Sequence, residues 1–142
     1  MKYLLDTCVI SELIKKRPNK SVTAWIKAQD EPALFLSVLT FGEIEKGIGK
    51  LADVKRKLVL RHWVDHDLKR RFTGRILSLD YEAACRWGVV SAEAELKGKP
   101  VPVLDGLLAA TALIQGMTFV TRNTDDVEPT GVPTLNPWLW QT

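Results

Sequence analysis

Short apolar runs alternate along the chain with longer stretches whose apolar residues recur at helical spacing, and that alternation predicts an α/β architecture. Lys2 to Leu5 reads as a strand. Val9 to Lys16 reads as a short helix stopped by Pro18, and a second helix from about Asn19 to Gln29 places Val22, Trp25 and Ile26 on one face. Leu34 to Leu36 has the pattern of a buried strand. Ser37 is placed to cap the following helix, which carries Phe41, Ile44 and Ile48 inward and frays at Gly47 and Gly49. A basic helix spans roughly Asp53 to Phe72 with Leu60, Trp63, Val64 and Leu68 as its apolar stripe. Ile76 to Leu79 is the next short run. Asp80 then suits the N-cap of a helix reaching Lys97, with Ala83, Trp87, Val90 and Ala94 inward. Gly98 to Pro102 is a loop. Leu104 to Gln115 is apolar nearly all round, which predicts a buried helix, and a strand Thr118 to Thr121 and an extended segment near Pro133 to Leu135 follow.

Strands alternating with helices argue for a parallel sheet covered on both faces, and such sheets place function at the C-terminal ends of their strands. The 142 residues, 46% apolar and 26% charged, suit one compact domain over 1–142, with no repeat or linker. The only apolar stretch before Asp6 is Tyr3, Leu4 and Leu5, far too short for a secretory signal, so the lipobox-like Leu5-Asp6-Thr7-Cys8 is discounted. The longest uncharged run, Gly106 to Thr121, falls short of the roughly 20 residues of a membrane span. A cytosolic protein without membrane contact is expected, and its two cysteines, Cys8 and Cys85, are expected to be reduced.

Four acids then stand out, because each follows a short apolar run or lies in the helix after one: Asp6, Glu43, Asp105 and Asp126. In an open sheet these positions converge on one crevice, where carboxylates suit a hard divalent cation. Each also has a local reading. Asp6 can close the first strand as an Asx turn, Glu43 can pair with Lys46, Asp105 can cap the buried helix and Asp126 can be a turn acid beside Asp125. Jointly these readings weaken, since Asp6 and Asp105 lie against the core, where an unpaired charge is costly. The net charge of +3 is unevenly spread: residues 50–75 hold nine Lys or Arg against three Asp, a local +6, leaving −3 elsewhere. A basic segment beside an acid cluster suits a polyanionic substrate, with Lys69, Arg70 and Arg71 as phosphate contacts; the alternative is a solvated helix face. His62 and His66 stand four apart, but Trp63 occupies the place of the zinc-protease Glu and no third ligand is evident. No P-loop, Gly-x-Gly-x-x-Gly or Ser-His-Asp set is present, and Cys8 stands where an aspartyl-phosphate phosphatase needs its second Asp.

Four blocks in order carry a family resemblance: Leu5-Asp6-Thr7-Cys8-Val9-Ile10-Ser11-Glu12, Leu36-Ser37-Val38-Leu39-Thr40-Phe41-Gly42-Glu43-Ile44, Leu104-Asp105-Gly106-Leu107-Leu108-Ala109-Ala110-Thr111-Ala112 and Thr121-Arg122-Asn123-Thr124-Asp125-Asp126. They resemble the signature blocks of PIN-domain proteins, above all the VapC-type toxins of bacterial toxin–antitoxin pairs. The likeness runs on to the closing Asn136-Pro137-Trp138. It implies a PIN-like fold with a central parallel β-sheet flanked by helices, a Mg²⁺- or Mn²⁺-dependent endoribonuclease, a cognate antitoxin and a homodimer. By the resemblance, Asp6, Asp105 and Asp126 hold the metal and Glu43 acts directly or through water. Thr7, Thr121 and Asn123 position ligands or substrate. If the antitoxin occupies the acidic crevice, an Arg or Lys from a tail or helix is the expected plug, because a cation there replaces the metal's charge. The chain departs from the family at Cys8, usually Asn, and at Val127, usually Phe. A thiol is a poor substitute for an amide that both donates and accepts, which leaves open a catalytically weak PIN module that binds RNA or an antitoxin without cutting.

Overall fold

The computed structural model describes residues 1–141. Five parallel strands form the sheet in the order β3-β2-β1-β4-β5: β1 (Tyr3–Leu5), β2 (Leu34–Ser37), β3 (Ile76–Leu77), β4 (Thr118–Val120) and β5 (Thr134–Leu135). The register sets Leu4 of β1 beside Phe35 of β2 and Phe119 of β4. Alternate strand residues feed opposite faces, because side chains along a strand point up and down in turn. Leu5, Leu34, Leu36 and Val120 pack with Val9 and Ile10 of α1 (Thr7–Leu13), with Val22, Trp25 and Ile26 of α2 (Lys20–Ala28), and with Leu68 and Phe72. Leu4 and Phe119 face the other way, onto Leu108, Ala109 and Ala112 of α7 (Val103–Gln115). The alanines let α7 lie close against the sheet. It ends at Gly116, whose φ of 67° is the left-handed conformation that favours glycine.

The remaining helices are α3 (Val38–Gly49), α4 (Val54–His62), α5 (Lys69–Arg71), α6 (Tyr81–Leu96) and α8 (Thr124–Val127). Ser37 and Asp80 cap α3 and α6 as the sequence predicts, Ser37 accepting from the Leu39 amide and Asp80 from that of Ala83. Three local differences have physical causes. Helix α1 starts at Thr7 rather than Val9, because Asp6 itself is the cap and accepts from the Thr7 amide. The basic helix is not uniformly α-helical: a π-helical stretch, Trp63–Leu68, joins α4 to α5, with Val64 and Leu68 both in the core. Helix α7 begins one residue after Pro102, so Asp105 is its third residue and caps nothing.

Much of the basic segment is held by ion pairs. Arg71 reaches Glu31 through both Nε and Nη2, at 3.0–3.3 Å, and Arg75 binds Glu31 as well as the carbonyl oxygens of Glu31 and Leu34. Arg61 pairs with Glu45 and Lys69 with Asp65. Arg71 is therefore a tie between the basic helix and the start of β2, not the free phosphate contact expected from sequence, and Arg70 alone of that triplet makes no ion pair among the described residues. Arg71→Ala is expected to cost about 1 kcal/mol, a drop of roughly 2–4 °C in melting temperature, since both partners are partly exposed. An unchanged melting curve, with a weaker salt dependence of RNA binding, would return Arg71 to the phosphate role.

Candidate active site

All five strands run the same way, so their C-terminal ends open on one edge, and the order in which strands are added reverses between β1 and β4, with β2 and β3 on one side and β4 and β5 on the other. A crevice forms at such a switch point. Asp6 follows β1 and Thr121 follows β4, and the two meet across it: the Thr121 hydroxyl donates to Asp6 Oδ2 at 2.8 Å. Cys8 Sγ donates to the same oxygen at 3.4 Å, and the Thr7 amide donates to Oδ1 at 2.8 Å. Asp6 is 5% exposed, and its carboxylate is aimed by neutral donors with no Lys or Arg paired to it among the described residues. Its cap role is therefore real, yet it accounts for one oxygen only.

Glu43 enters from α3. The Thr7 hydroxyl donates to Glu43 Oε1 at 2.7 Å and lies 3.2 Å from the hydroxyl of buried Thr40, so one threonine ties the first strand end to α3. The alternative pairing of Glu43 with Lys46 does not form. Asp105 projects from the first turn of α7 and is half-buried, and Asp126 is exposed on the single turn of α8. Asn123 precedes that turn; its amide N–H donates to the Thr121 hydroxyl at 3.1 Å, extending the chain of bonds that ends on Asp6.

The electrostatics join the four acids. Burial, then the negative charges of Asp6, Asp126 and Glu43 in that order, raise the Asp105 carboxyl from 3.8 to about 6, and no positive group offsets them. Among the described residues no three His, Cys, Asp or Glu side chains converge closely enough to hold one ion by themselves. The carboxylates thus share a field while standing apart. That arrangement fits Mg²⁺ or Mn²⁺, which keep several waters and take only one or two protein carboxylates directly. It does not fit a tightly enclosed structural metal.

Cys8 takes the place of an amide but acts here as a donor. Burial first, and the charge of Asp6 second, push its thiol up to about 12, so without a metal it is protonated and donates. Glu12 escapes the sequence reading altogether. It is buried, accepts from Lys15 Nζ and the Asn19 amide at 2.9 Å each, and these bonds hold its carboxyl below the usual range. It fixes the turn from α1 to α2; an acid at helical spacing from Val9 and on the face of Leu13 gives no hint of that.

Beside Glu43 a groove of 280 Å³ runs between α1, α3 and α4, lined by Ile14, Ile44, Ile48, Leu60 and Trp63. No helix is long and apolar enough to cross a membrane among the described residues.

Residues 3–128 match the PIN domain family. The chain is 36% identical to the VapC ribonuclease Y4jK of Sinorhizobium fredii, over 95% of this chain and 96% of that protein. It is 35% identical to Toxin FitB of Neisseria gonorrhoeae, over 95% and 97% of the two chains. The crystal structure of FitAcB from Neisseria gonorrhoeae superposes with a TM-score of 0.93 at 34% identity, covering 97% of this chain and 99% of that one.

Proposed function

The chain belongs to the PIN-domain family as a VapC-type ribonuclease toxin of a toxin–antitoxin system, and on that premise we propose that Asp6, Glu43, Asp105 and Asp126 carry a Mg²⁺- or Mn²⁺-dependent hydrolysis of RNA phosphodiester bonds. The observation that carries this reading is a buried Asp6 carboxylate aimed by Thr7, Cys8 and Thr121 beside Asp105, whose carboxyl is raised by burial and then by three other acids with no cation of the protein to compensate. Of Asp6, Asp105 and Asp126, one or two would hold the ion directly and the rest through its waters. When bound, it supplies positive charge against the phosphoryl oxygens and makes water more acidic.

The chain's own groups do the positioning. Thr121 and Cys8 fix Asp6 Oδ2, and the Thr7 amide fixes Oδ1, so the Asp6 carboxylate cannot rotate freely toward its neighbours. Thr7 in turn holds Glu43 Oε1, leaving the second oxygen of Glu43 to accept a water proton. Attack on the phosphorus in line with the leaving oxygen needs this geometry more than it needs any covalent help from the protein.

The purified chain should cut RNA in Mn²⁺ or Mg²⁺ and stop in excess chelator. Full activity in chelator would overturn the reading. RNA binding without cutting, in either ion, would favour the catalytically weak module.

The same reading supplies partners. We assign the cognate antitoxin to the apolar groove beside Glu43, where an amphipathic segment would bury its apolar side and deliver an Arg or Lys to the carboxylates. A homodimer is supported by α6, whose Tyr81, Cys85, Gly88, Val89, Ala92 and Leu96 form one exposed, largely apolar face. The protein would act as a single PIN domain over 1–142, in the cytoplasm where its RNA substrate resides.

A further inference from the structure

The closing Asn136-Pro137-Trp138 takes no part in the acid site, yet the structure ties it to the exit of β4. Pro137 opens a 3₁₀ turn, Pro137–Leu139, and Asn136 caps it by accepting from the Trp138 amide at 2.9 Å. The Asn136 Nδ2 donates weakly, at 3.5 Å, to the carbonyl oxygen of Arg122. The Trp138 indole then lies under the Arg122 guanidinium, whose carbon is 5.1 Å from the ring centre. Two side chains of one tripeptide, Asn136 and Trp138, thus act on one residue. Trp138 itself is anchored, packed against the cluster that holds Leu5 and Val9.

Arg122 is exposed and, among the described residues, unpaired, unlike Arg61, Arg71 and Arg75, which each hold a carboxylate. Glu12, whose carboxyl the charge of Arg122 helps to lower, is already engaged by Lys15 and the Asn19 amide. Arg122 also follows directly on Thr121, the residue that donates to Asp6, so its backbone stands at the edge of the crevice, within one side chain's reach of an approaching phosphate. A polyanion approaching four uncompensated carboxylates is repelled unless a positive group meets it there. A guanidinium resting on an indole has little freedom left to lose on binding, and its planar N–H fork still faces outward.

We propose that Arg122, held in place by Asn136 and Trp138, binds a backbone phosphate of the RNA flanking the one that is cut. The proposal rests on the nuclease reading above but is tested apart from it. Binding of a short single-stranded RNA is measured in chelator, across salt concentrations, for the wild type, R122A, R122K and W138L. R122A is expected to weaken binding about tenfold, for RNAs of unrelated sequence alike, and to flatten the log–log salt slope by about 0.7. R122K should fall between, because a point charge lacks the bidentate fork. W138L keeps an apolar side chain under the arginine while removing the ring; it should weaken binding severalfold, and adding R122A to it should cost less than R122A costs alone. In Mn²⁺ the R122A defect should appear in KM, with kcat nearly unchanged. Wild-type affinity and salt slope in R122A, a surface substitution that leaves the core intact, would overturn the proposal. A wild type that binds RNA through Arg122 but cuts nothing in Mn²⁺ or Mg²⁺ would overturn the nuclease reading instead.

Discussion

Asp6→Asn is expected to lower RNA cleavage by at least about 100-fold, because loss of an outer partner of a metal ligand alone costs about 10–100-fold and Asp6 would be a ligand itself. The fold should survive. An asparagine at position 6 keeps one oxygen to accept from the Thr7 amide and so retains the cap of α1. Its amide nitrogen then faces the two donors on Oδ2. The Thr121 hydroxyl can rotate to accept, while the Cys8 thiol, held protonated, loses its acceptor. One weak bond lost sets the stability cost at about 1 kcal/mol or less, offset by one fewer negative charge beside Asp105. Cleavage rates in saturating Mn²⁺, with melting curves on the same preparations, separate the two effects. A variant that melts like the wild type and cuts at more than about a tenth of its rate would remove Asp6 from the site.

What could be read from sequence follows from range. Asp6, Asp105 and the strand–helix alternation are legible because each depends on neighbours a few residues away: an apolar run, then an acid, then a helical pattern. Which oxygen of Asp6 is occupied was not legible, since Thr121 lies 115 positions on and nothing local marks it as the donor. The tie from Arg71 to Glu31 spans 40 positions and turns an apparent phosphate contact into a structural one. The π-helical stretch at Trp63–Leu68 leaves the spacing of Leu60, Val64 and Leu68 unchanged, so a pattern of apolar residues cannot tell it from an α-helix. Arg122 hid for the opposite reason. It sits inside a recognised block, between Thr121 and Asn123, but its partner Trp138 is in another, and only the fold brings the two together.

Asp105→Asn is expected to raise the melting temperature of the metal-free protein near pH 7.5 while abolishing cleavage. Two effects oppose one another at this residue. A negative charge in the first turn of α7 interacts favourably with the helix dipole, by about 0.3–1 kcal/mol. Burial and the charges of Asp6, Asp126 and Glu43 act against it, and they prevail, because the carboxyl stands at about 6 instead of 3.8. The whole of that shift would correspond to about 3 kcal/mol, but the group is only half-buried and solvent screening reduces it, so roughly 1 kcal/mol, or about 2–4 °C, is expected. The sign follows from which state binds the proton more tightly. With the folded value above the unfolded one, Asp105 contributes its full stabilisation below about pH 4 and loses it as pH rises through about 6. Wild type and variant should therefore converge toward pH 4 and separate above pH 6, with the variant the more stable. Excess Mg²⁺ or Mn²⁺ should reverse the order at pH 7.5, since the ion binds only the folded wild-type site and supplies the missing positive charge. Melting in chelator and in metal at pH 4.5 and 7.5 reads all four conditions. A variant that melts lower in chelator at both pH values, with no shift of the wild type on adding metal, would reduce Asp105 to a favourable charge at a helix start and leave the acids without a common site.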